Sequence, residues 1–317
     1  MSRSARAALL LLLTAMIWGA AFVAQDVAAD ALEPFTFNGL RMVLAALTLV
    51  PVIAFRHRAA CKAAAAAGAD AKAVKPTLLP QDPAQRRFLL LGGLACGVML
   101  ALGSGFQQLG INAGVQAGKA GFITALYIVL VPLTGLFFGK RPTLLVWVAV
   151  VLSAIGLYLL CMQGGFVLES GDILLLLCAL SFTGHILVVD HVGAKVDGVK
   201  LSCIQFAVTA VICLTIAAFT EHPTWAAVKT AAIPILYAGI LSGGVGYTLQ
   251  IVAQKDIDPT IASLIMCLES VFAVIFGWLL LGDQMTVREY LGCAIMMVGI
   301  VLAQLPGKAA KEDVGVS

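Results

Sequence analysis

Hydrophobic residues in this chain occur in long runs that are separated by short polar segments. A helix rises about 1.5 Å per residue and needs about 20 apolar residues to cross the hydrocarbon core of a bilayer. Ten runs meet that requirement and predict ten transmembrane helices, at residues 6–24, 34–55, 87–109, 117–138, 143–162, 171–189, 199–219, 231–252, 259–281 and 286–305. The expected fold class is therefore an all-α membrane protein.

The composition is also that of a membrane protein. Of the 317 residues, 61% are hydrophobic and 12% are charged, and the mean hydropathy is +1.01. Soluble domains carry about 25% charged residues, so this chain is too apolar to cover its surface in water. The formal net charge of +3 is too small to predict a nucleic-acid partner. The predicted partner is the lipid bilayer.

Lysine and arginine residues are distributed unequally between alternate connecting segments. Sixteen of them lie in segments on the N-terminal side of the membrane, and three lie on the other side (Lys119, Lys229 and Arg288). Since positive residues favour the cytoplasmic side, both chain ends are predicted to be cytoplasmic, in the cytoplasmic (inner) membrane. Residues 56–86 are predicted to form a cytoplasmic loop and residues 306–317 a cytoplasmic tail.

The sequence contains two copies of one five-helix unit. A shift of 164 residues aligns the first two helices with the sixth and seventh, and a shift of 143 residues aligns the later ones. The aligned pairs include Leu10–Leu13 with Leu174–Leu177, Asp26 with Asp190, Gly103 with Gly246, Gln107 with Gln250, and Thr143 with Thr286. The first copy comprises helices 1–2 (residues 1–55) and helices 3–5 (residues 87–162), and the second comprises helices 6–10 (residues 171–305).

Each copy has an odd number of helices, so the two copies must have opposite orientations in the membrane. Inverted repeats are typical of secondary transporters, in which the substrate site lies near the midplane where the repeats meet. Movement of one repeat against the other then exposes the site to each side in turn. The repeat pattern therefore predicts a transporter that works by alternating access.

Four segments resemble the EamA branch of the drug/metabolite transporter (DMT) superfamily. They are LTAMIWGAAFVAQ (13–25), PFTFNGLR (34–41), GKAGFITALYIVLVP (118–132) and LESVFAVIFGWLLLGD (268–283). The resemblance implies ten helices in two inverted halves and transport of a small solute, such as an amino acid, another metabolite, a drug or a cation. The chain departs from the family pattern at Glu269-Ser270, where Glu-Pro is common, and at Gly139-Lys140, where Gly-Glu is common.

Two ionisable residues inside predicted helices are the main candidates for the transport site. Glu269 lies near mid-depth in the ninth helix and is aligned with Leu126 by the 143-residue shift. Ionisable groups in a membrane are costly and usually face a cavity or a partner, so Glu269 is a candidate for proton coupling or for binding a substrate amine. The alternative is a carboxylate that bridges helices. Arg41, in the second helix, could bind a substrate carboxylate, pair with Glu269 or extend to the membrane surface.

Other polar and aromatic residues are weaker candidates, because each type also has a common structural role in membrane helices. Amides hydrogen-bond between helices, lysines extend to the surface, a histidine can bridge two helices, and aromatic rings pack in cores. With these alternatives open, the further candidates for substrate binding or coupling are Gln107, Gln250, Asn38, Trp18, Tyr127, Tyr247, His185 and Lys119.

The leading prediction is a secondary transporter that exports a small metabolite, with proton exchange as an open possibility. A uniporter or a lipid flippase of the same fold is the alternative. An intramembrane hydrolase is a remote one, since Gly103-Ser104-Gly105 and His185 superficially suggest a nucleophile and a base. No catalytic residue, metal or cofactor is predicted, because the chain has no GxxxxGK[ST] motif for ATP and no CxxC pair among its eight cysteines. A monomer and a homodimer are both compatible with the sequence.

Overall fold

The computed structural model describes residues 2–66, 79–80, 82–115, 117–162, 169–281 and 285–305. Ten helices in this part of the chain are long and apolar enough to span a membrane, which confirms the prediction of ten transmembrane helices. They are α1 (Arg3–Ala29), α2 (Pro34–Ala63), α3 (Pro83–Asn112), α4 (Lys119–Phe137), α5 (Leu144–Cys161), α6 (Ser170–Gly193), α7 (Gly198–Thr220), α8 (Ala232–Gln254), α9 (Pro259–Leu279) and α10 (Val287–Gln304).

Polar residues that flank the apolar runs define where several helices begin. The Thr143 hydroxyl accepts a hydrogen bond from the Val146 N–H at the start of α5, and the Thr286 hydroxyl accepts one from the Glu289 N–H at the start of α10. These threonines satisfy N–H groups that have no partner within the helix. The two caps occupy the aligned positions of the two repeats.

The predicted cytoplasmic loop 56–86 is shorter in the structure at both ends. The helix that contains α2 continues to Ala66, because the alanine-rich segment after Arg58 strongly favours helix. Helix α3 begins at Pro83, where Asp82 accepts hydrogen bonds from the Ala84 and Gln85 N–H groups. Residues 67–78 and 81 lie outside the described part of the chain. A short helix that was not predicted, Trp225–Thr230, precedes α8.

Helices α4 and α9 are interrupted at equivalent places. The first is helical over Ala117–Thr124 and Tyr127–Phe137, and the second over Pro259–Met266 and Glu269–Phe276. At the breaks, the Leu126 and Leu268 N–H groups bond to the carbonyl three residues earlier rather than four, those of Ile123 and Ile265. Such tightening within a helix often marks a hinge. In α8, residues Tyr237–Tyr247 are π-helical.

The helices pack as two inverted repeats. Helix α1 contacts α8 and α9, and its counterpart α6 contacts α3 and α4. Helix α2 contacts α8, whereas its counterpart α7 contacts α3. The pairs α2–α7 and α5–α10 each join a helix to its own counterpart. Every one of these contacts has a partner under exchange of the two repeats, which is the pattern of a two-fold pseudo-symmetric molecule.

Gly19 allows α1 to cross α9 at very short range. A Cβ atom added to Gly19 would lie 2.8 Å from both the Glu269 carbonyl oxygen and the Ala273 nitrogen. Both are backbone atoms, which a side-chain rotation cannot move away. The close crossing therefore holds α1 against the part of α9 that carries Glu269.

We expect Gly19→Ala to destabilise the protein by about 1–3 kcal/mol, because the added methyl group forces α1 and α9 apart. The thermal unfolding midpoint of the purified protein in detergent measures this effect. Gly135→Ala is the matched control, since a Cβ atom there lies 3.6 Å from the nearest atom, Lys140 Cβ, an ordinary contact. Equal midpoints for the two variants would show that the α1–α9 crossing tolerates a side chain.

Candidate functional site

A narrow cavity with a volume of about 40 Å³ lies at the centre of the helix bundle. Helices from both repeats contribute to its wall. Of the ten predicted site residues, the structure places eight around this cavity, namely Trp18, Arg41, Gln107, Tyr127, His185, Tyr247, Gln250 and Glu269. These residues are far apart in sequence, and the inverted arrangement of the repeats brings them together.

Glu269 is the first residue after the break in α9 and is 6% exposed. Its carboxylate Oε1 accepts a hydrogen bond of 3.2 Å from the Tyr127 hydroxyl. Tyr127 is the first residue after the break in α4, so the two residues occupy equivalent positions and meet close to the pseudo-two-fold axis. The 143-residue shift pairs Glu269 with Leu126, the residue next to Tyr127, whereas the helix breaks pair Glu269 with Tyr127 itself.

Arg41 is 3% exposed and does not extend to the surface. Its Nη1 donates a hydrogen bond of 3.3 Å to Gln25 Oε1, and its guanidinium carbon lies 5.3 Å from the centre of the Phe37 ring. Its Nε is buried and has no hydrogen-bond partner. No ion pair joins Arg41 to Glu269 or to another carboxylate of the described residues. The predicted pair is absent because Arg41 turns towards Gln25 on α1, while Glu269 turns towards Tyr127 on α4.

His185 and its aromatic neighbours form another part of the cavity wall. The imidazole Nε2 lies 3.0 Å from Gln205 Oε1, and the ring packs edge-on against Tyr247 at 5.9 Å between ring centres. Tyr247 in turn packs against Trp18 at 4.6 Å. The Trp18 indole N–H donates to the Ser242 carbonyl at 3.2 Å. This aromatic cluster gives the cavity an apolar wall, as binding sites for small molecules usually have.

Amide side chains line the rest of the cavity. Gln107 and Gln250, the aligned pair of the two repeats, both contribute to its wall, and Gln250 Oε1 is buried without a hydrogen-bond partner. Gln25 was not predicted, although it lines the cavity and holds Arg41. It lies one residue beyond the predicted end of the first helix, which in fact continues to Ala29. A polar residue at the edge of an apolar run is the signal that would have found it.

Two of the predicted site residues do not line the cavity. The Asn38 amide donates to the Ser104 carbonyl at 3.0 Å and so joins α2 to α3. Lys119 forms ion pairs with Asp172 at 2.7 Å and Glu169 at 3.2 Å, which join the start of α4 to the start of α6. Both contacts are structural. Asn38 and Lys119 each bind the nearest complementary group of a neighbouring helix, which their positions along the chain did not reveal.

The residues suggested for an intramembrane hydrolase are not arranged as a nucleophile and a base. The Ser104 hydroxyl donates to the Leu100 carbonyl at 2.7 Å within its own helix. His185 contacts Gln205, and Ser104 is not among the residues that line the cavity. No group of three or more His, Cys, Asp or Glu side chains that could hold a metal occurs in the described part of the chain.

The ten helices, the inverted packing and the central polar cavity define a multi-pass membrane protein of the transporter class. The model of the EamA-like transporter family matches the chain twice, over residues 5–162 and 169–305. The chain therefore belongs to this family. The two matched segments correspond to the two repeats.

Similar proteins agree with this assignment. An uncharacterized transporter of Archaeoglobus fulgidus is 28% identical over 300 residues, which cover 93% of this chain and 84% of that protein. The uncharacterized transporter YwfM of Bacillus subtilis is 23% identical over 303 residues, which cover 95% of this chain and 94% of that protein. A solved crystal structure, 16% identical, superposes with a TM-score of 0.74 over 95% of this chain and 97% of that one. At that identity the likeness concerns the fold alone.

The Tyr127–Glu269 hydrogen bond is testable with a double-mutant cycle. We expect Tyr127→Phe to lower the thermal unfolding midpoint, since a hydrogen bond contributes about 0.5–1.5 kcal/mol. In a Glu269→Met background the same substitution should cost much less, because the acceptor is gone. Tyr158→Phe, on α5 and outside the cavity, is the matched control and should cost the same in both backgrounds. Additive effects of Tyr127→Phe and Glu269→Met would contradict the hydrogen bond.

Proposed function

We propose that this protein is a secondary transporter that exports a small metabolite through the central cavity by alternating access, in exchange for protons. The observation that carries the proposal is the position of Glu269. It is a buried carboxylic acid in the middle of a transmembrane helix, it lines the cavity, and it meets Tyr127 where the two repeats join. Both membership of a transporter family and the inverted packing support this reading.

Alternating access requires segments that change shape while the repeats stay intact. The breaks in α4 and α9 supply two such segments at equivalent positions beside the cavity. The π-helical segment Tyr237–Tyr247 of α8 is a third, and it carries four glycines, Gly239, Gly243, Gly244 and Gly246. Interruptions of this kind inside helices are frequent at functional sites. We therefore assign the movement to these segments.

Proton exchange follows from the surroundings of Glu269. In a cavity from which water is largely excluded, a carboxylate without a cationic partner is unfavourable, and binding a proton removes its charge. Among the described residues the contact of its carboxylate is the Tyr127 hydroxyl rather than a cation. When the cavity opens to water, the charged form becomes accessible again. Exchange against an inward proton gradient would drive the solute out of the cell.

The test of coupling is Glu269→Gln, which keeps the shape of the side chain and cannot release a proton. We expect this variant to lose solute flux driven by a pH gradient in proteoliposomes, while it retains expression and solute exchange without a gradient. The transported solute would first be identified by thermal-shift screening of amino acids, nucleosides and cationic drugs.

Asp30→Asn is the matched control, since Asp30 is an exposed carboxylate at the end of α1, and its flux should equal that of the wild type. Unchanged gradient-driven flux in Glu269→Gln would refute proton coupling and favour a uniporter. Loss of folded protein in the variant would instead assign Glu269 a structural role.

We also propose that both ends of the chain are cytoplasmic and that the protein resides in the cytoplasmic membrane. The support is the excess of lysine and arginine in the segments on one side of the ten helices. We expect a fluorescent-protein fusion at the C-terminus to be bright and an alkaline-phosphatase fusion at the same place to be inactive. The opposite pattern, with fusions in the α1–α2 connection as the internal reference, would invert the topology.

A further inference from the structure

Arg41 carries a buried positive charge that no carboxylate of the described residues neutralises. The guanidinium remains protonated in proteins, and burying a charge without a partner is unfavourable. Its contacts are one amide oxygen, Gln25 Oε1, and the face of the Phe37 ring. Neither contact cancels the charge. The group therefore has a strong remaining attraction for an anion.

One edge of the Arg41 guanidinium, the edge that carries Nε, has a nitrogen without a hydrogen-bond partner. Arg41 is part of the cavity wall, and its Nε is buried without a hydrogen-bond partner. The edge that carries Nε can bind a planar anion through parallel hydrogen bonds, the arrangement that arginine forms with carboxylates. The Gln107 side chain also lines this cavity and offers an amide donor.

The second repeat has no equivalent cation. The residue aligned with Arg41 is Gln205, which contacts His185. The first repeat therefore places a guanidinium in the cavity wall on α2, whereas the aligned position on α7 carries a neutral amide. A solute with one anionic end would bind in one orientation, with that end at Arg41.

We infer that Arg41 is the subsite for a carboxylate group of the transported solute, so that the carrier selects small molecules with a carboxylate over their uncharged analogues. The inference rests on the proposed function, because it takes the central cavity as the transport site. The apolar part of the solute would lie against the cluster of Trp18 and Tyr247. Arg41 thereby acts as the residue that determines specificity.

The experiment compares acids with their amides on the full-length protein in lipid nanodiscs. The probes are propionate against propionamide, alanine against alaninamide and leucine against leucinamide, each titrated at constant ionic strength with sodium chloride as the reference salt. The thermal unfolding midpoint measures binding. At least one acid is expected to stabilise the protein with an apparent affinity about 10- to 100-fold above that of its amide, the range for hydrogen bonds to a charged group.

Substitution then assigns the selectivity to Arg41. Arg41→Gln should reduce the acid-to-amide ratio to about one, and Arg41→Lys should restore part of it, because lysine keeps the charge without the planar fork. Arg288→Gln is the matched control. Arg288 is an arginine of α10 that stacks on Tyr158 and is not among the residues lining the cavity, so the ratio should stay at its wild-type value.

Three results would overturn the inference. They are equal protection of the wild type by acids and amides, no protection by any acid beyond that of sodium chloride, and a wild-type ratio in Arg41→Gln. The first two need no variant, so a folding defect in Arg41→Gln leaves the test intact. Acid-selective binding without solute flux would refute the proposed transport and leave the subsite standing. Flux of an uncharged or cationic solute without acid selectivity would refute the carboxylate subsite and support the proposed transport.

Discussion

A lipid bilayer offers no hydrogen-bonding partners, so the polar side chains of ten apolar helices must be satisfied within the protein. Here many of them bond to a polar side chain of another helix, within one repeat or between the two. Glu269 meets Tyr127, Arg41 meets Gln25, and His185 meets Gln205. These contacts join different helices beside the central cavity, whose wall also contains two buried polar atoms without partners, Arg41 Nε and Gln250 Oε1. Many of the side chains that the bilayer forces to bond within the protein thus lie beside the central cavity.

The fold was predictable because membrane spans are encoded locally. A run of about 20 apolar residues has few alternatives in a bilayer, and the same argument located the repeats and their opposite orientation. The length of α2 was less predictable. Residues 56–66 are polar enough to resemble a loop, yet their alanines continue the helix beyond the membrane span. The helix breaks in α4 and α9 left no mark in the hydrophobic pattern, because Ala125, Leu126, Cys267 and Leu268 are as apolar as their neighbours.

The sequence predicted which residues lie around the cavity much better than it predicted which of them bond to each other. Polar groups inside apolar runs identify most of the polar residues around the cavity, since burying such groups in a membrane is costly and usually reflects a functional or structural need. Which side chain bonds to which depends on how each helix is rotated about its axis and how deep it lies in the membrane, and no single segment of the sequence encodes this. Arg41 and Glu269 looked complementary by charge, but one faces α1 and the other faces α4. Lys119 looked available at a helix end and instead bridges to Asp172 across helices.

Inverted repeats make the two access states nearly equivalent in backbone energy, because exchange of the repeats converts one state into the other. In this chain the contacts between helices are symmetric, but the cavity side chains are not. Glu269 faces Tyr127, and Arg41 is aligned with Gln205. Under the proposed alternating access, the symmetric scaffold supplies the movement and the few asymmetric side chains supply its dependence on what is bound.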